Sequence, residues 1–258
     1  MIQMKKLYLF FFLFISVLHL NAQVFWINGL KYSVLSVDRR TVEVSSCKML
    51  SEGSCVVPSS VQYGGKEYSV VAVGAYAFSY CVGITNIELP FTVENIGHWA
   101  FLCCSNLVTA NLGDSVKSIG YSAFRNCKKL RTVVAPPTLA VVEDWAFANC
   151  ISLDELVFKG NLSYLGNSSF KGCCGLKSLV IDVDNNDLVI SSGAFLQSSS
   201  IRLLNINSLV PPKISFSAFD KEICERARLV VPLGCATLYK DAEGWKNFVN
   251  VQEVGLSQ

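Results

Sequence analysis

Between residues 70 and 232 the apolar positions recur with a long fixed period, not with the short rhythm of a single helix or strand. Phenylalanine stands at 78, 101, 124, 147, 170, 195 and 219, at spacings of 23, 23, 23, 23, 25 and 24. Each follows a small residue, Ala in six copies and Ser169 in one. Five residues before each Phe is an aliphatic: Val73, Ile96, Ile119, Val142, Leu165, Ile190 or Ile214. Three residues after it comes Cys81, Cys104, Cys127, Cys150 or Cys173, and six after it Ile84, Leu107, Leu130, Leu153, Leu176 or Ile201. A short alternating segment follows, as in Leu156-Val157-Phe158 and Leu179-Val180-Ile181.

One such unit cannot bury its apolar face alone, so copies of it must stack, with equivalent residues one above another. The Phe, Ala and aliphatic positions then become columns of core. The alternating segments are expected to pair as parallel strands about 4.8 Å apart, so seven rungs make a body about 35 Å long. The Ala-Phe-x-x-Cys segment is too short for a full helix and is expected to make one helical turn opposite the strands. Open stacks need distinct ends. Residues 23–69 show hairpin-like alternation around the turn Tyr63-Gly64-Gly65-Lys66, which predicts a β-rich N-terminal cap. Residues 233–258 predict a C-terminal cap in which Trp245 and Phe248 close the last coil.

The unit Ile-Gly-x-x-Ala-Phe-x-x-Cys-x-x-Leu, seen at Ile119–Leu130 and closely repeated at Ile96–Leu107 and Val142–Leu153, resembles the BspA-type leucine-rich repeat. The resemblance covers about residues 70–232. Ser169, the inserted residues around Asp182–Asp187 and the lapse of Cys after Phe195 and Phe219 depart from it. The expected fold is thus an α/β, right-handed leucine-rich-repeat solenoid with a parallel sheet and short helical turns opposite. The resemblance implies a bacterial surface or exported protein of an adhesive kind, without a shared catalytic motif, and needing no cofactor.

Residues 1–22 read as a secretory signal peptide: Lys5 and Lys6, then the apolar run Leu7–Leu20, with cleavage expected after Ala22. That run is shorter than the roughly 20 residues a membrane-spanning helix needs. The destination is then the cell surface, the periplasm or the medium. Removing Lys5 and Lys6 lowers Lys plus Arg from 22 to 20, equal to the 20 Asp plus Glu. A chain with no net charge and no basic cluster is a poor ligand for nucleic acid.

Eleven cysteines in an exported chain suggest disulfides. Those of the repeat are expected to remain buried thiols, because stacked rungs keep their Cβ vectors parallel and too far apart to bridge. Cys47 and Cys55 in the N-terminal cap are the expected disulfide, with Cys224 and Cys235 a second candidate pair. His98 is the one histidine after residue 22, and no doubled Cys-x-x-Cys occurs. Neither a zinc site nor a His-based nucleophile is expected. Glu143 and Asp144 are read as a solvated corner.

Binding is the remaining class. If Ile87 and Leu89 point inward, the residue between them points out, and the outward column reads Glu88, Asn111, Val134, Val157, Val180, Asn205. The stripe Val134, Val157, Val180, flanked by Arg131, Lys177 and Arg202, is the candidate protein-binding face. Tyr76, Trp99 and Trp145, two residues before Phe, are a secondary candidate that could stack on sugars. The expected partner is a host matrix protein or another surface protein, bound by a monomer; the alternative is a carbohydrate.

Overall fold

A computed structural model describes residues 23–48, 53–183, 187–215 and 217–255. The expected signal peptide and part of the insertion, residues 184–186, lie outside the described residues.

Strands β1 (Val24–Ile27), β2 (Leu30–Ser36) and β3 (Thr41–Cys47) form an antiparallel meander. Next come β4 (Gly53–Val56), β5 (Ser60–Tyr63) and β6 (Lys66–Val73). β5 and β6 make the hairpin turned at Gly64-Gly65, whose φ of 58° and 72° only glycine adopts freely. Each following coil gives one longer strand and one of two residues. The first three coils supply β7 (Ile84–Glu88) and β8 (Asn95–Ile96), β9 (Thr109–Asn111) and β10 (Ser118–Ile119), β11 (Thr132–Val134) and β12 (Val141–Val142). The next three supply β13 (Glu155–Gly160) and β14 (Tyr164–Leu165), β15 (Ser178–Val183) and β16 (Val189–Ile190), β17 (Leu203–Ile206) and β18 (Lys213–Ile214). Helix α1 (Lys221–Arg226), β19 (Arg228–Pro232), α2 (Ala236–Asp241), a 3-10 turn (Trp245–Asn247) and β20 (Asn250–Val254) complete the chain.

Two walls result. One is a single sheet ordered β1-β2-β3-β6-β8-β10-β12-β14-β16-β18, parallel from β3 onward. The other is split into β4-β7-β9-β11 and β13-β15-β17-β19-β20, both parallel. Parallel stacking therefore reaches beyond the repeats at both ends: β4 pairs with β7, and β20 adds a rung on β19. The wall of two-residue strands was not foreseen.

The Ala-Phe-x-x-Cys segment is not a helical turn. An α-helix would use every N–H inside its own coil, whereas here the donors alternate. Ala123, Arg125 and Cys127 donate three residues back within their coil. Ser122, Phe124 and Asn126 donate to Asp144, Ala146 and Ala148 of the next coil. Ser122 and Asn126 take φ of 52° and 63°, and the same left-handed residues recur two before and two after Phe in the coils of Phe78, Phe101 and Phe147. That conformation breaks a helix and turns alternate amides outward along the stack. The coils are β-solenoid coils, and the α-helices among the described residues lie in the C-terminal part.

The core follows the columns. Seven Phe rings stack nearly parallel from Phe78 to Phe219 with centroids 4.7–5.4 Å apart. The longest step, Phe170 to Phe195, spans the 25-residue repeat. Gly120 permits the close approach of coils, since a Cβ there would meet His98 N at 2.8 Å. At the C-terminal end Trp245 and Phe248 pack on Phe219, and the Trp245 indole donates to Pro212 O at 2.7 Å. Among the described residues no helix is long and apolar enough to cross a membrane.

Candidate functional site

The register places the outward column along one wall. Val56 stands opposite Glu88, Glu88 opposite Asn111 and Asn111 opposite Val134. In the other half Val157 stands opposite Val180, then Asn205, Val230 and Gln252 follow. Val134 is 52% exposed and Val157 36%, while Val180 is half-buried. The three valines do not form one unbroken ladder, because the wall divides between β11 and β13. The stripe is therefore a paired Val157–Val180 and a separate Val134 across the division.

Beside the stripe, successive backbone bonds line up Asp154, Lys177, Arg202 and Arg228. Lys177 pairs with Asp154 at 2.8 Å, both well exposed, a contact worth little in water. Arg202 donates to the Ser199 and Ile201 carbonyls, which fixes its guanidinium near the coil. Arg131 is exposed. Arg228 extends the basic column by one rung. Spacing does not reveal it, because Arg228 comes nine residues after its Phe where Lys177 and Arg202 come seven after theirs.

The aromatic candidates lie in the turns that follow β6, β8 and β12. Tyr76 stacks on Trp99 at 4.8 Å, and Tyr121 meets Trp99 edge-on at 5.2 Å. Trp145 does not join them: Arg125 and Lys171 lie over its ring at 5.2 and 5.4 Å. Tyr76, Trp99 and Trp145 all occupy the left-handed position two before Phe. The nearby polar groups have structural tasks. Glu143 accepts from Tyr121 N at 2.8 Å and faces His98 at 3.2 Å. Asp144 accepts from Asn167 N at 2.7 Å and from its side-chain amide. Both acids serve as caps for turn amides in the adjoining coil. Among the described residues no group of three His, Cys, Asp or Glu could hold a metal ion.

Every cysteine is a thiol. Cys104, Cys127, Cys150 and Cys173 are buried, and each donates to the carbonyl of the Phe in the preceding coil at 2.9–3.3 Å. Burial pushes the Cys127 and Cys150 thiols well up, which keeps them protonated and unreactive. Ser198 takes the same place after Phe195 and donates to Phe170 O at 2.8 Å, so the lapse of Cys there preserves the bond. One expectation needs correction. Cys81, at the end of the ladder, is half-buried rather than buried. The Cys47–Cys55 pairing read from the sequence stands as a proposal; strand pairing carries Cys55 to Ile87 and into the core. Cys224 and Cys235 are also buried thiols, the latter directed at Leu209 O.

Stacked parallel strands with columns of Phe, Ala and aliphatic side chains define a leucine-rich-repeat solenoid. Six copies of the BspA type leucine rich repeat region match residues 71–202, half of the chain, and the protein belongs to this family. The seventh unit, around Phe219, continues the ring stack beyond the matched stretch. Among solved structures, the chain is similar to a leucine rich cell surface protein from Faecalibacterium prausnitzii A2-165, at 21% identity and a TM-score of 0.65. The match covers 81% of this chain and 54% of that one, so this chain spans about half its length. The T. pallidum leucine rich repeat protein matches at 26% identity and a TM-score of 0.61, over 71% of this chain and 85% of that one. No curated protein matches the chain.

Proposed function

We propose that this chain is an exported, non-enzymatic protein-interaction or adhesion module of the bacterial cell envelope or surface. Its segment 1–22 serves as a cleaved signal, and the right-handed stack, closed by β-rich and C-terminal caps, acts as a monomer. The observation that carries the reading is the exposed Val134 and Val157 of one wall, with half-buried Val180 paired to Val157, beside Arg131, Lys177 and Arg202. Interior-type β-branched residues on an open wall are suited to being covered by a protein partner, and the basic column gives that partner an orientation. Membership of a repeat family whose stacks present long surfaces supports it, as does the cell-surface relative of the same fold.

The test is binding of the purified chain to a panel of host matrix and bacterial surface proteins, repeated with Val157→Lys/Val180→Lys. Loss of binding with an unchanged melting temperature supports the face; undiminished binding by a folded variant rejects it. Mass analysis of the secreted product, with cleavage after Ala22 expected, tests export separately. The second reading, a carbohydrate-binding accessory protein, has the grouping of Tyr76, Trp99 and Tyr121 in its favour. Against it, those rings stack on one another, which leaves less free face for a sugar. A glycan array with Tyr76→Ala decides between the two.

A further inference from the structure

The balance of charge over the whole chain conceals a local excess of cations, which corrects the expectation of no basic cluster. Arg125, Lys128, Lys129 and Arg131 stand within seven residues of the coil of Phe124. Lys171 and Lys177 take the places of Arg125 and Arg131 two coils on. Lys128, Lys129, Arg131 and Lys177 are exposed, and Arg125 and Lys171 are half-buried. Lys177 is paired with Asp154, but among the described residues no carboxylate lies within ion-pair distance of the other five.

Arg125 and Lys171 are the two that the fold arranges. Each follows its Phe by one residue, and Ala148 holds that place in the coil between them. Ala148 is small and buried, so the middle rung carries no long side chain at this position. Both cations approach the Trp145 ring instead, Arg125 from the coil before and Lys171 from the coil after, at 5.2 and 5.4 Å from its centroid. The indole attracts cations through its quadrupole, so both charges are held in place before any ligand arrives. Arg125 Nε is buried without a hydrogen-bond partner among the described residues. Asp144, the acid next to Trp145 in the chain, is committed to Asn167. Two rungs separate Arg125 from Lys171, about 10 Å at the backbone.

We propose that this cluster binds an acidic polysaccharide, with sulfate or carboxylate groups seated on Arg125 and Lys171 and with Lys128 and Lys129 adding to the field. The site is separate from the valine face and does not depend on it. The occupied indole selects among ligands. A neutral sugar stacks on a free aromatic face, and single-stranded nucleic acid needs one for its bases. Duplex DNA carries one charge in about every 1.7 Å, far closer than two rungs. A protein interface draws its affinity from anchors desolvated at its centre, and the aromatic here is already engaged. A linear acidic polysaccharide needs none of these. It repeats its charges along an extended chain and can set successive ones on cations held at fixed rungs.

The full chain is titrated at physiological ionic strength with sulfated dextran and polygalacturonate, beside neutral dextran, polyglutamate and oligothymidylate. Saturable binding of an acidic polysaccharide is expected, with none of neutral dextran and weaker binding of the last two. Arg125→Gln/Lys171→Gln keeps much of each side-chain stem and is expected to weaken binding about tenfold or more, whereas Lys66→Gln/Lys213→Gln, at two exposed lysines elsewhere, changes it less than about twofold. Trp145→Ala removes no charge, yet it is expected to weaken binding severalfold because the cations lose the ring that holds them. Acetylation of the wild-type lysines, mapped by mass spectrometry, locates the site without any variant: the polymer is expected to shield Lys128, Lys129 and Lys171 but not Lys66 or Lys213. Failure to bind either acidic polysaccharide overturns the proposal. So do equal losses in the two double variants, an unshielded Lys171, or binding of polyglutamate or oligothymidylate as tight as that of the polysaccharides.

Discussion

The Phe column and the outward valine column run along the same coils, yet neighbours constrain them very differently. Each Phe from Phe101 to Phe195 in the column lies between two others about one rung away and is closed off from water. Each outward valine touches its ladder partners on one side and solvent on the other. Inside, a residue's size and its hydrogen bonds are set by the coil above and the coil below. Outside, Glu88, Asn111, Val134 and Asn205 all occupy the same position without disturbing the stack. Where stacking does not choose the residue, the surface is left for another use.

The sharpest way to break this contrast is Phe124→Ala. Phe124 has ring neighbours at 4.7 and 5.0 Å and no exposure, so the loss is expected to be about 3–5 kcal/mol. Denaturant titration measures it, and a loss below about 1 kcal/mol would show that the column is not the core. Cys127→Ala removes a thiol and its bond to Phe101 O and is expected to cost about 1–2 kcal/mol. Cys127→Ser should cost less, because Ser198 makes the same bond in its own coil. If serine proves worse than alanine, the bond is not what the position requires.

Glu43 tests the interior at its N-terminal end, where its carboxyl lies over Gly74. Burial raises its pKa in the folded state. A raised carboxylate contributes stability when protonated, below its unfolded pKa, and loses that contribution as pH rises through the folded value. Glu43→Gln should therefore melt above wild type at neutral pH, and the gap should close below the ordinary carboxylate range. Thermal melts at both pH values check the sign; a gap that widens on acidification contradicts it. The smallest stability effect is expected for Val157→Lys on the outward column, within about 0.5 kcal/mol, with partner binding as the property it changes.

Much of the fold was legible because periodicity reports stacking directly. The spacing of Phe78, Phe101 and Phe124 gives the coil length, and the aliphatic positions give the interior. The helical turn was misread for a definite reason. Ala-Phe-x-x-Cys has an apolar spacing that suits one turn of helix, and the pattern does not say whether an amide bonds within its coil or to the next. The left-handed backbone at Tyr76, Trp99 and Trp145 was equally hidden, since large aromatics rarely adopt it. For the candidate face, the column of residues could be read off the alternation, but not the division of the wall between β11 and β13.

The sequence by itself determined the repeat, its family and the identity of the interior columns. Those depend on which residues must leave water, and a period in the chain becomes a period in space once copies stack. Only the tertiary structure decided which amides cross between coils and where a wall is interrupted. Those depend on the relative placement of segments far apart in the chain, and no local pattern encodes a distance.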